Sequence, residues 1–311
     1  MTTLQAVATY LPQARRAVEE VGAELGLTPM QVRVFRRYYG FAEIRQDPAG
    51  TLLGLLDAAV GNLPELHGRE ARVRYVLHAR SFAVVTPYPM NPLHELCRRR
   101  GLGHATAFAV SHQACASALV ALDIAGRLLA ADPDPDALAL IVTGEQAFTA
   151  ETRMVPDTSI FGEGAAACLV GRGGRGDRVL SYASRQRGEF DDAAGPPAES
   201  FQAQYPASLA QVILAALDRA GLAVGDIARI LPHNVNAVAW QRVCRQLGIG
   251  VDRVVLDNLP VTGHVFCADA FFNLRYARAN GLLAPGDAYV VAAAGAARGA
   301  TFAAMVLEHR P

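Results

Sequence analysis

An internal repeat constrains the fold of this 311-residue chain more than any other feature. The segment Cys115–Leu122 (CASALVAL) aligns with Cys267–Leu274 (CADAFFNL) at a separation of 152 residues, and His112 and His264 share that separation. Each segment is followed by a turn with proline and aspartate and then by an apolar run. Because the same order of elements recurs in both halves, the sequence indicates a duplicated unit.

Apolar periodicity predicts that this unit is an α/β one. In the first half, strands are predicted at Val73–Leu77, Thr106–Val110 and Ala137–Thr143, and helices at Leu52–Val60 and Ala116–Ala130. Alternation of strands with helices is typical of α/β proteins.

The second half is predicted to repeat this arrangement. Helices are expected at Leu209–Ala220, at Ala237–Leu247 and from residue 264 to 283. We therefore predict two halves, residues 1–172 with the reactive cysteine and residues 173–311 with two functional histidines. Their small-residue helices should pair at the centre, because small side chains let helix backbones approach closely.

Cys115 stands where the predicted strand Thr106–Val110 turns into an apolar helix. The first N–H groups of a helix lack partners within it and, with the helix dipole, favour a negative group. A thiol in this position loses its proton more readily and becomes a nucleophile. A buried structural cysteine among small residues is the alternative, and this stretch alone leaves both interpretations open.

Two histidines of the second half could serve that cysteine. His233 follows a predicted strand, and His264 opens the second small-residue helix directly after Gly263. In a duplicated fold, Cys115 and His264 would meet at the centre from opposite halves. A cysteine within reach of imidazoles can accept an acyl group from a thioester.

Acyl transfer of this kind leaves a negative charge on the thioester oxygen. Such an oxyanion is stabilised by N–H groups aimed at the place where the charge develops. The amide of Cys115 can supply one donor. The glycine-broken turn at Ala294 and Gly295 can supply another, because backbone there can come close to a ligand.

Composition excludes several other classes of function. Lysine is absent and all 29 basic residues are arginine, which excludes Schiff-base chemistry and a phosphate-binding loop lysine. A formal net charge of zero predicts that the protein binds neither nucleic acid nor an anionic membrane surface. Five widely spaced cysteines without a C-x-x-C pair predict neither disulfides nor a metal site. Without a signal pattern or an uninterrupted apolar run of membrane-spanning length, we expect a cytoplasmic protein.

Four motifs together resemble the thiolase superfamily, and within it the ketoacyl synthase III-like enzymes. They are Ala-Cys115-Ala-Ser, Gly162-Glu-Gly-Ala-Ala-Ala, Leu231-Pro-His-Asn-Val-Asn and the terminal Gly295-Ala-Ala-Arg-Gly-Ala. The resemblance covers nearly the whole chain and implies a layered α-β-α-β-α architecture. It also implies acyl-CoA or acyl-carrier-protein thioesters as substrates, no permanently bound cofactor, and a homodimer.

The resemblance implies roles for the matching residues. Cys115 is the acylated nucleophile, His233 polarises the second thioester carbonyl, and Asn236 supports the His233 loop. Type III enzymes usually have asparagine where this chain has Gly263-His264, and that pair is similar to the Cys-His-His pattern of the elongating synthases. We therefore predict a triad of Cys115, His233 and His264.

Three further residues complete the predicted site. Asp269 lies one turn beyond His264, where it either orients that imidazole or caps the helix. Phe148 and Phe161 are candidates for the acyl pocket.

The triad favours a decarboxylative Claisen condensation, in which an acyl group on Cys115 is joined to a malonyl-type thioester. A specialised polyketide or fatty-acyl pathway fits this chain better than a housekeeping role. Two alternatives stay open. One is transfer of the acyl group to a hydroxyl or an amine, and the other is a catalytically silent subunit of a ketosynthase pair.

Overall fold

One long sheet forms the core of the computed structural model, which describes residues 1–147, 152–190, 197–296 and 300–311. Within these ranges, nine strands belong to the sheet and four short ones form two separate ribbons. In chain order the strands are β1 (Thr2–Tyr10), β2 (Arg15–Ala17), β3 (Glu43–Arg45), β4 (Val73–Ala79), β5 (Thr106–Val110), β6 (Leu138–Glu145), β7 (Met154–Val155), β8 (Ser159–Ile160), β9 (Gly164–Arg172), β10 (Asp177–Arg187), β11 (Ile227–Pro232), β12 (Ala288–Ala296) and β13 (Ala300–Glu308).

The two halves of the chain contribute strands in the same spatial order. The first half runs β5-β4-β6-β9-β1 and the second runs β11-β12-β13-β10. The counterpart of β5 is reduced to a single bridge between Ile230 and Val254. The halves join where β1 meets β10, through the register pairs Thr3–Arg178 and Leu4–Asp177. This repeated topology supports the proposal that the two halves arose by duplication.

Helices cover both faces of the sheet. In the described part of the chain they are α1 (Val18–Glu24), α2 (Pro29–Val34), α3 (Leu52–Gly61), α4 (Pro92–Arg99), α5 (Ser117–Ala131), α6 (Pro197–Ala220), α7 (Ala237–Leu247), α8 (Leu259–Thr262) and α9 (Asp269–Ala279). Helices α5 and α9 share one apolar core with strands of both halves. Helices α3 and α4 cover the outer face of the first half, and α6 and α7 cover that of the second.

Strand β6 shows how the sequence builds these layers. Ala139 and Ile141 pack in the central core, whereas Leu138, Leu140 and Val142 pack in the outer one. Successive side chains of a strand point to opposite faces, so an unbroken apolar run is buried on both sides. In order, the layers are the outer helices of the first half, the strands of that half, the central helices α5 and α9, the strands of the second half, and its outer helices. This α-β-α-β-α order confirms the predicted fold class.

Two helices differ from their predicted bounds. The helix expected at Leu209–Ala220 begins at Pro197, twelve residues earlier in a polar stretch that contains Pro206. Proline lacks an N–H and normally ends a helix, so the sequence pattern did not indicate that the helix extends back beyond Pro206. The helix expected from residue 264 begins at Asp269, because a 3-10 turn over Phe266–Ala268 precedes it.

One helical stretch in the described residues, Ala114–Ala131, is long and apolar enough to cross a membrane, with a mean hydropathy of 1.7. Asp123 and Arg127 interrupt the stretch, so it agrees with the expectation that no uninterrupted apolar run reaches such a length. The stretch contains α5, which packs between the two halves, and that burial accounts for its apolar composition. On its outer side, Arg127 donates a hydrogen bond to Asp123 at 2.8 Å.

Candidate active site

Cys115 lies on a tight elbow between β5 and α5. The residue before it, Ala114, has a φ of 44°, and a 3-10 turn over Ala114–Ala116 leads into the helix. A left-handed conformation at a residue other than glycine stores strain and is common at functional sites. Gly295 passes directly against this elbow, since a Cβ atom there would lie 2.2 Å from the carbonyl oxygen of Gln113. The predicted oxyanion segment therefore borders the cysteine.

The second half repeats the elbow around Cys267. Phe266 has a φ of 53° and begins the matching 3-10 turn over Phe266–Ala268. Both cysteines therefore occupy equivalent backbone positions.

A hydrogen-bonded line joins Cys115 to the second half. Its Sγ lies 3.2 Å from Nε2 of His264, and Nδ1 of His264 is hydrogen-bonded to Oδ2 of Asp269. Asp269 also accepts hydrogen bonds from the amides of Val265 at 2.8 Å and Asn234 at 2.6 Å. The carboxylate therefore orients the imidazole, which is one of the two roles considered for Asp269. It also fixes the nearby backbone, but it does not cap α9, which has no side-chain cap hydrogen bond.

The charge state of His264 is set by its burial and by the Asp269 carboxylate. Burial alone would lower the pKa of His264, but the Asp269 carboxylate and then the Cys115 sulfur outweigh it and raise the pKa to about 10. The ring of Phe161 stacks on the imidazole with a centroid separation of 4.7 Å and an interplanar angle of 28°. The structure thus places Phe161 against His264.

His233 lies beside this line, and its pKa is shifted in the opposite direction to that of His264. Its ring centroid is 5.9 Å from that of His264, and its Nε2 lies 3.2 Å from the hydroxyl of Tyr205. Burial, followed by the neighbouring His264, lowers the pKa of His233 to about 3. The site therefore pairs a protonated imidazole with a neutral one. Among the described contacts, Cys115 is hydrogen-bonded to His264 and not to His233.

The backbone around His233 is held at several points. Its amide donates to the carbonyl of Ala292 at 3.0 Å, and its carbonyl accepts from Nε1 of Trp240 at 2.9 Å. Asn236 accepts from the amide of Ala239 at 2.7 Å, which caps α7, and donates to the carbonyl of Thr158 at 3.0 Å. Asn236 thus anchors the segment that follows His233.

Two polar residues of the first half complete the surroundings of the sulfur, and neither was among the predicted site residues. Ser81 donates to Sγ of Cys115 at 3.5 Å and lies 3.6 Å from Sγ of Cys267. Glu145 accepts from the amides of Ser81 at 2.6 Å and Phe82 at 2.8 Å. Burial raises the pKa of Glu145 to about 7, although these two amides act in the opposite direction. Glu145 ends a buried apolar strand, which is the only sequence signal that marked it.

Tyr205 is the third residue that the sequence did not indicate. It lies on the polar part of α6, 28 positions before its partner His233, and no motif surrounds it. Phe148, the other predicted pocket residue, lies outside the described residues. Among the residues that are described, no group of three or more His, Cys, Asp or Glu side chains could hold a metal ion.

Comparisons with known proteins agree with this architecture. Residues 217–309 match the family model described as the C-terminal part of 3-oxoacyl-[acyl-carrier-protein (ACP)] synthase III. The solved 3-oxoacyl-[acyl-carrier-protein] synthase III of Aquifex aeolicus superposes with a TM-score of 0.85 over 99% of this chain and 100% of that one, at 19% identity. This chain has the thiolase-like fold of synthase III.

Two further proteins that are similar to this chain carry different descriptions, one as a synthase III and the other as an acyltransferase. The beta-ketoacyl-[acyl-carrier-protein] synthase III of Nitratidesulfovibrio vulgaris is 28% identical over 222 residues, which cover 63% of this chain and 64% of that protein. The match thus spans slightly less than two thirds of this relative's length. A solved structure named ChlB3 and described as an acyltransferase superposes with a TM-score of 0.85 at 20% identity, over 99% of this chain and 98% of that one.

Proposed function

We propose that this chain is an acyl-transferring enzyme that carries an acyl group on Cys115. The observation that supports this best is the buried line from Cys115 through His264 to Asp269. In such a line the imidazole already holds the proton of the thiol, in keeping with its raised pKa, while sulfur attacks a thioester carbonyl. It then gives that proton to the leaving thiol. The proposed donors are acyl-CoA or acyl-carrier-protein thioesters, since the curated relatives are named for an acyl carrier protein.

The oxyanion of this step needs donors close to the sulfur. We assign them to the amide of Cys115 and to the backbone at Ala294 and Gly295. The contact between Gly295 and the elbow supports this assignment, because only a residue without a side chain allows so close an approach. No permanently bound cofactor is required for these steps.

Transfer to a hydroxyl or an amine is one of two candidates for the second half-reaction. The acceptor must lose a proton as its oxygen or nitrogen bonds to the acyl carbon. His264, oriented by Asp269, is left neutral once its own proton has gone to the leaving thiol, so it can take the proton of the acceptor. The carbon–sulfur bond breaks as the new bond forms, and the proton stays on His264 beside the Cys115 sulfur, which restores the starting state. The acyltransferase with the same fold agrees with this proposal.

Decarboxylative condensation is the second candidate, and His233 supports it. Its low pKa keeps this imidazole neutral, so that it can donate a hydrogen bond to a thioester oxygen without carrying a charge. With His264 beside it, it could stabilise the enolate that forms when a malonyl unit loses carbon dioxide. The curated relatives are named as synthases of this kind. A specialised polyketide or fatty-acyl pathway remains our proposal for this case.

Intact-protein mass tests the first step and product analysis tests the second. After incubation with a panel of acyl thioesters, we expect a mass gain of one acyl group that is absent in Cys115→Ala. The loaded protein is then offered hydroxyl and amine acceptors or a malonyl thioester. Ester or amide formation without carbon dioxide supports transfer, and carbon dioxide release with chain extension supports condensation. If no thioester loads Cys115, the proposed function is wrong.

We also propose that the protein acts as a homodimer. Val84, Tyr88 and Met90 expose large apolar side chains on the segment that follows β4. Strand β5 is the last strand on that side of the sheet, so one of its edges is unpaired by the described strands. Sedimentation equilibrium gives the mass of the assembly.

A further inference from the structure

Tyr205 lies between the reacting side chains and an outer cavity. The residue belongs to α6 and is 6% exposed, and its hydroxyl lies 3.2 Å from Nε2 of His233. It also lines a cavity of about 140 Å³, which we term the vestibule. The other residues that define the vestibule include Tyr39, Thr158, Phe201, Asn236 and Arg242.

The vestibule stops short of the reacting groups. Among the described residues that line it, Cys115, His233 and His264 are all missing, whereas Tyr205 contacts the imidazole from within it. The ring of His233 lies 5.9 Å from that of His264, whose Nε2 is 3.2 Å from Sγ of Cys115, so two imidazoles link Tyr205 to the sulfur. A molecule in the vestibule therefore meets Tyr205 before it meets His233.

We propose that Tyr205 is a specificity-determining gate between the vestibule and Cys115, an inference that rests on the proposed function. Its ring closes the passage. Its hydroxyl occupies the place on Nε2 of His233 that the polar end of the second substrate takes. Displacing Tyr205 exchanges one hydrogen bond for another, so a polar-ended chain opens the gate more easily than an apolar one does.

The packing around the ring supports a defined closed position. The ring centroid of Tyr205 lies 5.8 Å from that of Phe201 and 6.0 Å from that of Phe302. Directly after the tyrosine, Pro206 interrupts the helix, because it has no N–H to donate to the carbonyl of Gln202. The helix is therefore weakest beside the gate, where a small backbone shift can move the ring.

The other nitrogen of His233 strengthens the argument. Nδ1 of His233 is buried and has no hydrogen-bond partner among the described residues, so Tyr205 is the side chain that satisfies this imidazole. Loss of the tyrosine hydroxyl without a replacement would leave a buried ring with neither nitrogen paired, which is costly. The gate therefore opens at low cost only when an incoming group supplies a new partner. A cavity this small accommodates a thin chain more readily than a bulky group, since typical ligand pockets hold roughly 300–1,000 Å³.

Alkylation of Cys115 tests the gate independently of any acyl transfer. The rate is followed by intact mass with a small reagent, iodoacetamide, and a bulky one, fluorescein maleimide. The variants are Tyr205→Ala, which removes the ring, and Tyr205→Phe, which keeps it. Cys115→Ala measures labelling of the remaining thiols, and circular dichroism checks that each variant is folded. Tyr205→Leu replaces the alanine variant if that one does not fold.

We expect Tyr205→Ala to accelerate the maleimide reaction roughly tenfold or more, as for a gate that is open about a tenth of the time or less. Iodoacetamide should gain much less. Tyr205→Phe should be intermediate with the maleimide, because it keeps the ring but lacks the hydrogen bond that holds the gate closed. Equal maleimide rates in Tyr205→Ala and the unmodified protein would overturn the proposal, and so would equal acceleration with both reagents. A protein that gates alkylation but never accepts an acyl group would contradict the proposed function and leave the gate intact.

Discussion

The two cysteine elbows have the same backbone and different chemistry. Ala114 and Phe266 both have positive φ, and each leads through a 3-10 turn into a central helix. Cys115 faces an imidazole, whereas Cys267 donates its hydrogen bond to the carbonyl of Ala114 at 3.3 Å. Burial, followed by Glu145 and Cys115, raises the pKa of Cys267 well above its usual value. A strained turn alone therefore does not make a nucleophile, and the partner of the thiol decides its chemistry.

One position accounts for much of this asymmetry. At the separation of 152 residues that relates the halves, Asp269 corresponds to Ser117 and His264 to His112. Asp269 holds His264 inward, whereas Oγ of Ser117 has no hydrogen-bond partner among the described residues. His112 is exposed and bonds its neighbour Ser111 at 3.1 Å. At this position Asp269 orients an imidazole, whereas Ser117 forms no hydrogen bond to one among the described residues.

The largest difference should appear when each of the two cysteines is replaced by alanine in turn. Cys115→Ala removes the proposed nucleophile, so we expect acyl loading to fall below detection in intact-mass measurements. The matched control, Cys267→Ala, occupies the equivalent elbow and should load normally. If Cys267→Ala abolishes loading while Cys115→Ala retains it, the assignment of the nucleophile is reversed.

The two histidines at equivalent positions should differ almost as much. His264→Ala removes the imidazole that touches the sulfur, and we expect the rate of acyl transfer to fall roughly 10²- to 10⁴-fold, the range for loss of general acid–base catalysis. His112→Ala should leave the rate unchanged, because that side chain faces solvent. Single-turnover rates measure both. Equal rates in the two variants would show that His264 has no role in acyl transfer.

Asp269→Asn should weaken the protein in a pH-dependent way. The pKa of folded His264 is raised from 6.5 to about 10, so its stabilising contribution is complete below pH 6.5 and is lost as pH rises through 10. The variant lacks this contribution at every pH. We therefore expect the difference in free energy of unfolding between the unmodified protein and the variant to shrink from about pH 6 to about pH 10.

Urea unfolding over that range measures this difference. A constant part of it should remain, because asparagine cannot accept from both amides that the carboxylate now binds. A difference that grows with pH would show that Asp269 does not hold the proton on His264.

The smallest effect should come from the helix cap beside His233. Asn236→Ala removes the cap of α7 and should cost about 1 kcal/mol in the free energy of unfolding. Thr51→Ala removes the equivalent cap of α3, where Thr51 accepts from the amide of Gly54 at 3.0 Å, and should cost a similar amount. Only Asn236→Ala should also slow acyl transfer, since Thr51 lies far along the chain from both histidines. Equal activity of the two variants would remove Asn236 from the site.

The sequence was informative where chemistry and periodicity coincide. The central helix predicted at Ala116–Ala130 is observed at Ser117–Ala131, because an unbroken run of small apolar residues has few other solutions. The close approach of Cys115 and His264 followed from the repeat, since equivalent helices of a duplicated fold meet at its centre.

The rest depended on contacts that leave no local pattern. Tyr205 reaches His233 from a polar helix interrupted by proline, and hydrophobic periodicity does not identify such a residue. Phe161 was predicted as a candidate for the acyl pocket, and its stacking on His264 depends on a bridge between distant segments. Propensity and spacing describe neighbours along the chain, so they could not place either side chain.

The seam where β1 meets β10 joins two halves that have become mutually dependent. The sulfur belongs to one half, and the imidazole and carboxylate belong to the other. An ancestral pair of identical units would have carried two equivalent centres, either of which could compensate for damage to its twin. Once Ser117 and Asp269 had diverged, that redundancy was gone, and neither half could be discarded or replaced by a copy of the other.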